Sequence, residues 1–215
     1  MISYIKTTSA AKNVLALLDV IRFIHQKGWA PATSTNFSFR VEEFPDIIFV
    51  SRSGVDKSLI TAEDFIPLTL EGKALQESLD LPSSEALLHL AIYKSTQNTQ
   101  AVLHTHSKAA TILSIIFNKK KLLELQGFEL LKGLNGINTH HAQVTVPIFD
   151  NTQNMPELAQ KFTQWLENHP STWGILIEGH GFYTWGNSVA DAKKHLEVFE
   201  FLFDCLLTLQ VYGNS

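Results

Sequence analysis

Three histidines that follow two separate apolar runs constrain the fold of this chain more than any other feature. His104 and His106 end the run at residues 101–103, and His180 follows the run at 173–177 and is flanked by glycines. In an extended strand, residues i and i+2 point to the same face, so His104 and His106 project together from the strand end. Flanking glycines permit a close backbone approach. The pattern predicts a sheet in which these two strand ends meet.

Three imidazoles that meet at one point can hold a divalent metal, and zinc, iron, nickel and copper all accept such ligands. The pair His104 and His106 alone is equally typical of polar strand-end residues bonded to water or backbone. The third candidate, His180, favours a metal site. Three protein ligands leave a coordination position open, which is typical of catalytic rather than structural zinc sites.

The composition narrows the class of protein. The 215 residues are 45% hydrophobic and 18% charged, with a formal net charge of −4. These values are typical of one soluble domain spanning 1–215. Because no long basic run is present, we expect no nucleic-acid partner and no anionic membrane partner. The single cysteine, Cys205, indicates a reducing compartment, predicts a cytoplasmic protein, and has the apolar neighbours of a core thiol.

Strand-like and helical segments alternate along the chain. Two dipeptides, Pro45-Asp46 and Asn135-Gly136, are interpreted as short hairpin links and therefore imply some antiparallel pairing. We predict a mixed sheet covered by helices on both faces. The predicted helices cover residues 14–23, 84–95, 109–117, 156–167 and 189–211, and the predicted strands cover 37–41, 47–50, 102–105, 143–149, 175–178 and 183–185.

Three hydroxyl-rich loops, at residues 32–36, 51–55 and 83–85, adjoin predicted elements. Ser83 or Ser84 can cap the following helix, with Glu85 in its first turn, which explains these residues structurally. The same geometry offers hydroxyls and backbone N–H groups to a phosphate. Together with the histidines, the loops indicate a small phosphorylated hydroxy-carbonyl substrate.

Motifs spread over nearly the whole chain resemble the class II aldolase family. They are Asn36-Phe37-Ser38, Ser53-Gly54-Val55-Asp56-Lys57, Ser83-Ser84-Glu85, His104-Thr105-His106-Ser107-Lys108, Glu129-Leu130-Leu131-Lys132-Gly133 and Gly179-His180-Gly181-Phe182-Tyr183-Thr184-Trp185-Gly186. The segments at 129–133 and 183–186 are most similar to the dehydratase branch of the family. One position departs from the pattern, because Thr35 stands where the first loop usually carries glycine, and a β-branched residue restricts φ.

The resemblance implies a three-layer α/β/α sandwich with a mixed, largely antiparallel central sheet. It also implies a homotetramer with active sites at subunit interfaces, and one Zn²⁺ per subunit held by His104, His106 and His180. The implied activity is the dehydration of a small phosphorylated ketose, 5-methylthioribulose 1-phosphate, in methionine salvage.

The resemblance further implies roles for eight other residues. Glu129 would be the general acid/base of the dehydratase, whereas Glu85 matches the catalytic glutamate of the aldolases and is ranked here as a group near substrate or metal ligands. The expected phosphate-binding residues are Asn36, Ser53, Gly54, Ser83, Ser84 and Lys132.

Two alternative functions are weighed against the dehydratase. An aldolase would cleave a ketose 1-phosphate such as fuculose 1-phosphate from the same site. A non-catalytic interaction module like the adducin head shares the fold but lacks the metal histidines. Of the remaining histidines, His89 is predicted to pair with Glu85 one helical turn away, and His195 to lie at the surface.

Overall fold

A computed structural model describes residues 8–75, 82–96 and 98–213 of the chain. Its helices are α1 (Thr8–Gln26), α2 (Ala86–Ser95), α3 (Lys108–Ile116), α4 (Met155–Asn168) and α5 (Val189–Tyr212). Its strands are β1 (Phe37–Val41), β2 (Phe44–Ser51), β3 (Phe65–Thr69), β4 (Ala101–Thr105), β5 (Leu122–Leu125), β6 (Val144–Phe149), β7 (Gly174–Ile177) and β8 (Gly181–Gly186). Short 3₁₀ helices cover Ala62–Asp64, Asn118–Lys120 and Glu129–Gly133.

The eight strands form one sheet in the order β3-β2-β1-β4-β8-β7-β6-β5. Only β6 and β7 pair in parallel, and every other neighbouring pair of these strands is antiparallel. The predicted mixed, largely antiparallel sheet is therefore confirmed. Strands β4 and β8 lie side by side at its centre, so they can carry a buried site.

Helices cover both faces of the sheet. On one face, buried residues of α1, α3 and α5 pack in a cluster with Leu103 and Phe182, and on the other, residues of α2 and α4 pack with Val102 and Tyr183. Adjacent residues of β4 and β8 thus enter different layers, because successive side chains of a strand alternate between faces. This arrangement confirms the three-layer sandwich.

The predicted hairpin turn at Pro45-Asp46 is wrong. Both residues lie in β2, and the turn falls at residues 42–43. A register shift between Arg40 and Val41 takes the β1 pairing directly from Ile48 to Phe44, so Pro45 has no ladder partner there. Proline is tolerated in a strand where its missing N–H is not needed.

The second predicted hairpin link is also wrong. Asn135-Gly136 forms a turn within the long connection between β5 and β6, which also contains Glu129–Gly133. His195 is fully buried rather than at the surface. Its Nδ1–H donates to the Trp185 carbonyl at 2.7 Å and its Nε2 accepts from the Asn135 N–H at 3.1 Å, so backbone groups satisfy the ring.

Cys205 is half-buried beside Phe201 and Leu209, so the expectation of a core thiol is wrong.

Within the described part of the chain, no helix is both long enough and apolar enough to cross a membrane.

Candidate active site

The three histidines meet at the ends of β4 and β7. His104 is the fourth residue of β4, His106 follows that strand, and His180 lies in the turn between β7 and β8. The three rings each offer a nitrogen, and these atoms lie within 4.8 Å of one another. The predicted convergence of the two strand ends is confirmed.

Hydrogen bonding and burial prepare the rings to act as ligands. His104 Nδ1–H donates to the Phe182 carbonyl at 3.1 Å, which leaves Nε2 with its lone pair 2.7 Å from His106 Nε2. Burial holds the pKa of His104 well below its usual value, and burial with the nearby His180 lowers the pKa of His106 to about 4. Neutral imidazoles with a fixed tautomer are the form that binds metals. The cluster could therefore hold a divalent ion.

Gly181 allows this close approach of β8 to the histidines. A Cβ built on Gly181 would lie 2.8 Å from His106 Cδ2 and 3.0 Å from His104 Cε1, and closer still to the Thr105 carbonyl oxygen. Gly179 has a φ of +60°, in the left-handed region that favours glycine. The two glycines beside His180 therefore each have a structural reason.

Glu85 directs its carboxylate at the same cluster. Its Oε1 lies 3.0 Å from His180 Nε2 and its Oε2 lies 3.5 Å from His104 Nε2. Burial alone would raise the pKa of Glu85, but His104, His180 and a hydrogen bond from Asn36 together hold it well below its usual value. Glu85 is the N-cap residue of α2 rather than a member of its first turn. The site therefore contains an ionised carboxylate beside the histidines.

The capping prediction for α2 needs a correction. Ser83 Oγ accepts hydrogen bonds from the Glu85 N–H at 3.3 Å and from Asn36 Nδ2 at 3.2 Å. No side chain caps the helix at Glu85 itself. Ser83 therefore fixes the segment before the helix and joins it to the loop that carries Asn36.

A buried chain of hydrogen bonds supports Glu85 from behind. Asn36 Nδ2 donates to Glu85 Oε2, and Asn36 Oδ1 accepts from His89 Nε2–H. His89 Nδ1 then accepts from the Ser38 hydroxyl at 2.7 Å. The predicted direct pair between Glu85 and His89 is therefore replaced by a contact through Asn36. The i, i+2 spacing of Asn36 and Ser38 is the only local signal for this network.

A polar cavity of about 270 Å³ adjoins the histidine cluster through Glu85. It contains six of the residues predicted for the site, together with the loop at 33–35 and Arg52. The residues that line it are Thr33, Ser34, Thr35, Asn36, Arg52, Ser53, Gly54, Ser83, Ser84 and Glu85. The amide of Asn36 is occupied by Ser83, Glu85 and His89, so this residue orients the site rather than offering its side chain to a ligand.

Arg52 is the cation of this cavity, and no local pattern in the sequence predicts this role. Its Nε donates to Asp64 Oδ1 at 2.8 Å, and its backbone N–H donates to the Asp64 carbonyl, also at 2.8 Å. The backbone of Arg52 also pairs with Pro82, next to Ser83. Arg52 therefore joins two of the hydroxyl-rich loops and brings a fixed positive charge to them.

Threonine at position 35, in place of the usual glycine, causes no backbone strain. Thr35 has an ordinary negative φ, and the left-handed position of this loop is taken by Ala32 at +53°. The side chain of Thr35 is 3% exposed, and its hydroxyl has no hydrogen-bond partner among the described residues. A β-branched side chain is therefore accommodated at the edge of the cavity.

Glu129 and Lys132 form a separate group. They pair with each other at the surface, and His140 Nδ1 lies 3.6 Å from Glu129 Oε2. The hydrogen bond from Lys132 lowers the pKa of Glu129. Neither residue lines the cavity described above, so within one chain Lys132 lies apart from the hydroxyl-rich loops.

This chain is similar to known proteins over most of its length. The family model described as "Class II Aldolase and Adducin N-terminal domain" matches residues 16–207. A methylthioribulose-1-phosphate dehydratase from Marinobacter nauticus is 43% identical over 200 residues, which cover 93% of this chain and 95% of the relative. A protein of the same name from Picosynechococcus is 46% identical over 192 residues, covering 89% of each chain.

Solved structures match the fold at lower identity. The L-fuculose-1-phosphate aldolase from Thermus thermophilus has a TM-score of 0.73 at 23% identity, covering 95% of this chain and 98% of that one. A sugar-phosphate aldolase from Thermotoga maritima has a TM-score of 0.70 at 18% identity, covering 95% and 97%. The family model covers most of the chain, and two relatives are 43% and 46% identical to it over nearly their whole length. This chain therefore belongs to the class II aldolase and adducin N-terminal domain family.

Proposed function

We propose that this chain catalyses the dehydration of 5-methylthioribulose 1-phosphate to 5-methylthio-2,3-dioxopentyl phosphate, in the cytoplasm, as a step of methionine salvage. The names of the curated relatives support this substrate. The observation that carries the proposal is the position of Glu85, whose carboxylate both lines the hydroxyl-rich cavity and contacts His104 and His180. A phosphate in the cavity would therefore lie next to a metal at the histidines.

The proposed metal is one Zn²⁺ per subunit, held by His104, His106 and His180. Three observations fit such an ion. The imidazole of His104 is held neutral, its Nδ1 is fixed by a hydrogen bond, and the three candidate ligand nitrogens lie within 4.8 Å of one another. When bound, zinc supplies Lewis acidity that polarises a substrate carbonyl and makes the neighbouring C–H more acidic.

The proposed phosphate site is the cavity beside Glu85. Ser53, Gly54, Ser83 and Ser84 would offer hydroxyl and backbone donors, and Gly54 has the φ of +74° that lets its turn present the backbone closely. Arg52 would add the positive charge that a phosphate dianion needs. Asn36 would act by holding Glu85 in place.

The reaction requires a base at C3 and an acid at the C4 hydroxyl. Removal of the C3 proton sends the electron pair toward the C2 carbonyl and gives an enediolate. Breaking the C4–O bond releases the hydroxyl as water once it is protonated, and the resulting enol tautomerises to the 2,3-diketone. A positioned carboxylate that takes and returns a proton contributes typically about 10²–10⁴-fold to such a reaction.

Glu129 is the proposed acid/base, and we infer that it acts in a neighbouring subunit of a homotetramer. Its side chain is 70% exposed, and the preceding residue, Phe128, lines an apolar groove with Phe201 and Leu209 of α5. Phe201 and Leu209 lie on the same helix and are each 53% exposed, and an exposed apolar patch of this kind is typical of a protein–protein interface. A second copy packed on this groove would place Glu129 at the interface.

The position of Glu85 also fits a second candidate, the class II aldolase that cleaves a ketose 1-phosphate such as fuculose 1-phosphate. Its carboxylate already contacts the histidine cluster within one chain. In that reaction the C3–C4 bond breaks instead of the C4–O bond. The non-catalytic, adducin-like alternative receives the least support, because this chain carries the histidine cluster and an ionised glutamate together.

The decisive experiment compares Glu129→Gln with Glu85→Gln on 5-methylthioribulose 1-phosphate in D₂O. We expect Glu129→Gln to lower turnover by roughly 10²–10⁴-fold and to abolish deuterium exchange at C3, because the amide cannot take the proton. Glu157→Gln is the matched control, since Glu157 pairs with Lys161 on the surface as Glu129 does with Lys132.

Two results would change the assignment. Exchange that survives in Glu129→Gln and vanishes in Glu85→Gln would move the base to Glu85. Cleavage of fuculose 1-phosphate at a higher kcat/KM than that of the dehydration would make the aldolase the better description.

A further inference from the structure

Glu200 is a buried carboxyl group that the proposed reaction does not use. It lies in the middle of α5 and is 1% exposed. The Thr105 hydroxyl donates to Glu200 Oε1 at 3.3 Å, and the Ser107 hydroxyl also hydrogen-bonds to this carboxyl. Among the described residues, no cation forms an ion pair with it. A buried carboxyl without a cation depends on these hydroxyls for its stability.

The two hydroxyl partners lie on either side of His106. Thr105 ends β4, and its side chain points away from the face that carries His104 because strand residues alternate. Ser107 is the N-cap of α3, and its Oγ accepts from the Ala110 N–H at 3.1 Å. Glu200 therefore contacts the corner between β4 and α3, that is, residues 105–107. Its two partners are the residues immediately before and after His106, which is one of the candidate metal ligands.

We infer that Glu200 is a positioning residue for the metal centre, whose carboxyl fixes the β4–α3 corner and thereby the ring of His106. This inference rests on the proposed metal site. Metal–ligand distances are held to within about 0.2 Å, so small movements of the corner weaken binding. Groups that hold ligands in place without touching the metal typically change affinity by roughly 10–100-fold when removed.

The test uses zinc alone as the probe, with its dissociation constant measured against a competing chelator in the full-length protein. We expect Glu200→Leu and Thr105→Val each to weaken zinc binding by roughly tenfold, the lower end of that range. The variant that combines Glu200→Leu with Thr105→Val should bind zinc only slightly more weakly than the weaker-binding single variant, because both changes remove the same hydrogen bond. Glu200→Gln should bind zinc close to the wild-type protein, because its amide oxygen still accepts the Thr105 hydroxyl.

Leu196→Ala is the matched control, because Leu196 is buried one turn earlier on α5. It should lower the thermal unfolding temperature without changing zinc affinity. In cobalt-loaded protein, the visible absorption bands should change in Glu200→Leu and Thr105→Val but not in Leu196→Ala, since these bands report ligand geometry.

The outcomes separate the two proposals. Zinc affinities in Glu200→Leu and Thr105→Val that equal that of Leu196→Ala would overturn the positioning role and leave the metal site intact. Wild-type protein that binds no zinc, cobalt or other divalent ion would overturn both. If Glu200→Leu does not fold, Thr105→Val decides the question alone, because valine matches threonine in shape and lacks only the hydroxyl.

Discussion

Replacing Gly181 by alanine tests the packing on which the candidate metal centre depends. The added Cβ would lie 2.8 Å from His106 Cδ2, whereas ordinary contacts begin at 3.4 Å, so the ring or strand β8 must move by at least about 0.6 Å. The Thr105 carbonyl lies on the same side and is backbone, so it cannot yield as a flexible side chain would. A movement of this size is about three times the 0.2 Å tolerance of metal–ligand distances.

We therefore expect Gly181→Ala to weaken zinc binding by at least roughly 10–100-fold, the range seen when groups that orient ligands are removed. Forcing extra volume into a packed site should also destabilise the fold by about 1–3 kcal/mol. Zinc affinity is measured by chelator competition, and stability by urea unfolding of the metal-free protein, so the two effects are separated.

Gly186→Ala provides the control on the same strand. Gly186 lies at the end of β8 that is far from the histidines. An added Cβ there would lie 2.7 Å from both the carbonyl carbon and the Cβ of Asp191, and closer still to the backbone nitrogen of Ala192. We expect it to lose stability but to keep zinc affinity. The reasoning is refuted if Gly181→Ala binds zinc as tightly as the wild-type protein, or if both variants lose affinity equally.

Two further predictions concern pH and assembly. Burial, with a smaller contribution from Asp204, raises the pKa of Glu200 to about 8, and the hydroxyls of Thr105 and Ser107, which face it from β4 and α3, only partly oppose this shift. The folded state then retains a proton that the unfolded chain releases near pH 4.5, so this stabilisation is complete below that pH and is lost as pH rises toward 8. Relative to Glu200→Gln, the unfolding free energy of the wild-type protein should fall between pH 5 and 8 by at most about 1.4 kcal/mol per pH unit, and parallel curves from urea titrations would contradict the assignment. Light scattering should give a homotetramer at micromolar concentration that Phe201→Glu dissociates, whereas a wild-type mass near the 24.1 kDa of one chain would exclude the shared site.

Among the described residues, the local patterns of the sequence determined the five helices, six of the eight strands and the shared face of His104 and His106. The alternation of side chains in β4 is a property of any extended strand, so His104 and His106 had to share a face. Likewise, the serines and glycine at 53–54 and 83–84 follow or precede regular elements, where their donors are exposed to a ligand. Such features depend on neighbours within a few residues, so they can be predicted without the fold.

The tertiary structure decided which side chains support the histidines. Asn36 meets Glu85 across 49 residues of chain, and Thr105 meets Glu200 across 95. Arg52 reaches the cavity through its contacts with Asp64 and Pro82, and His195 is buried because backbone groups from β8 and from Asn135 satisfy both ring nitrogens. These contacts depend on the order of strands in the sheet and on which helix covers each face. Local periodicity carries no information about either, because long-range pairing is fixed only when the whole core packs.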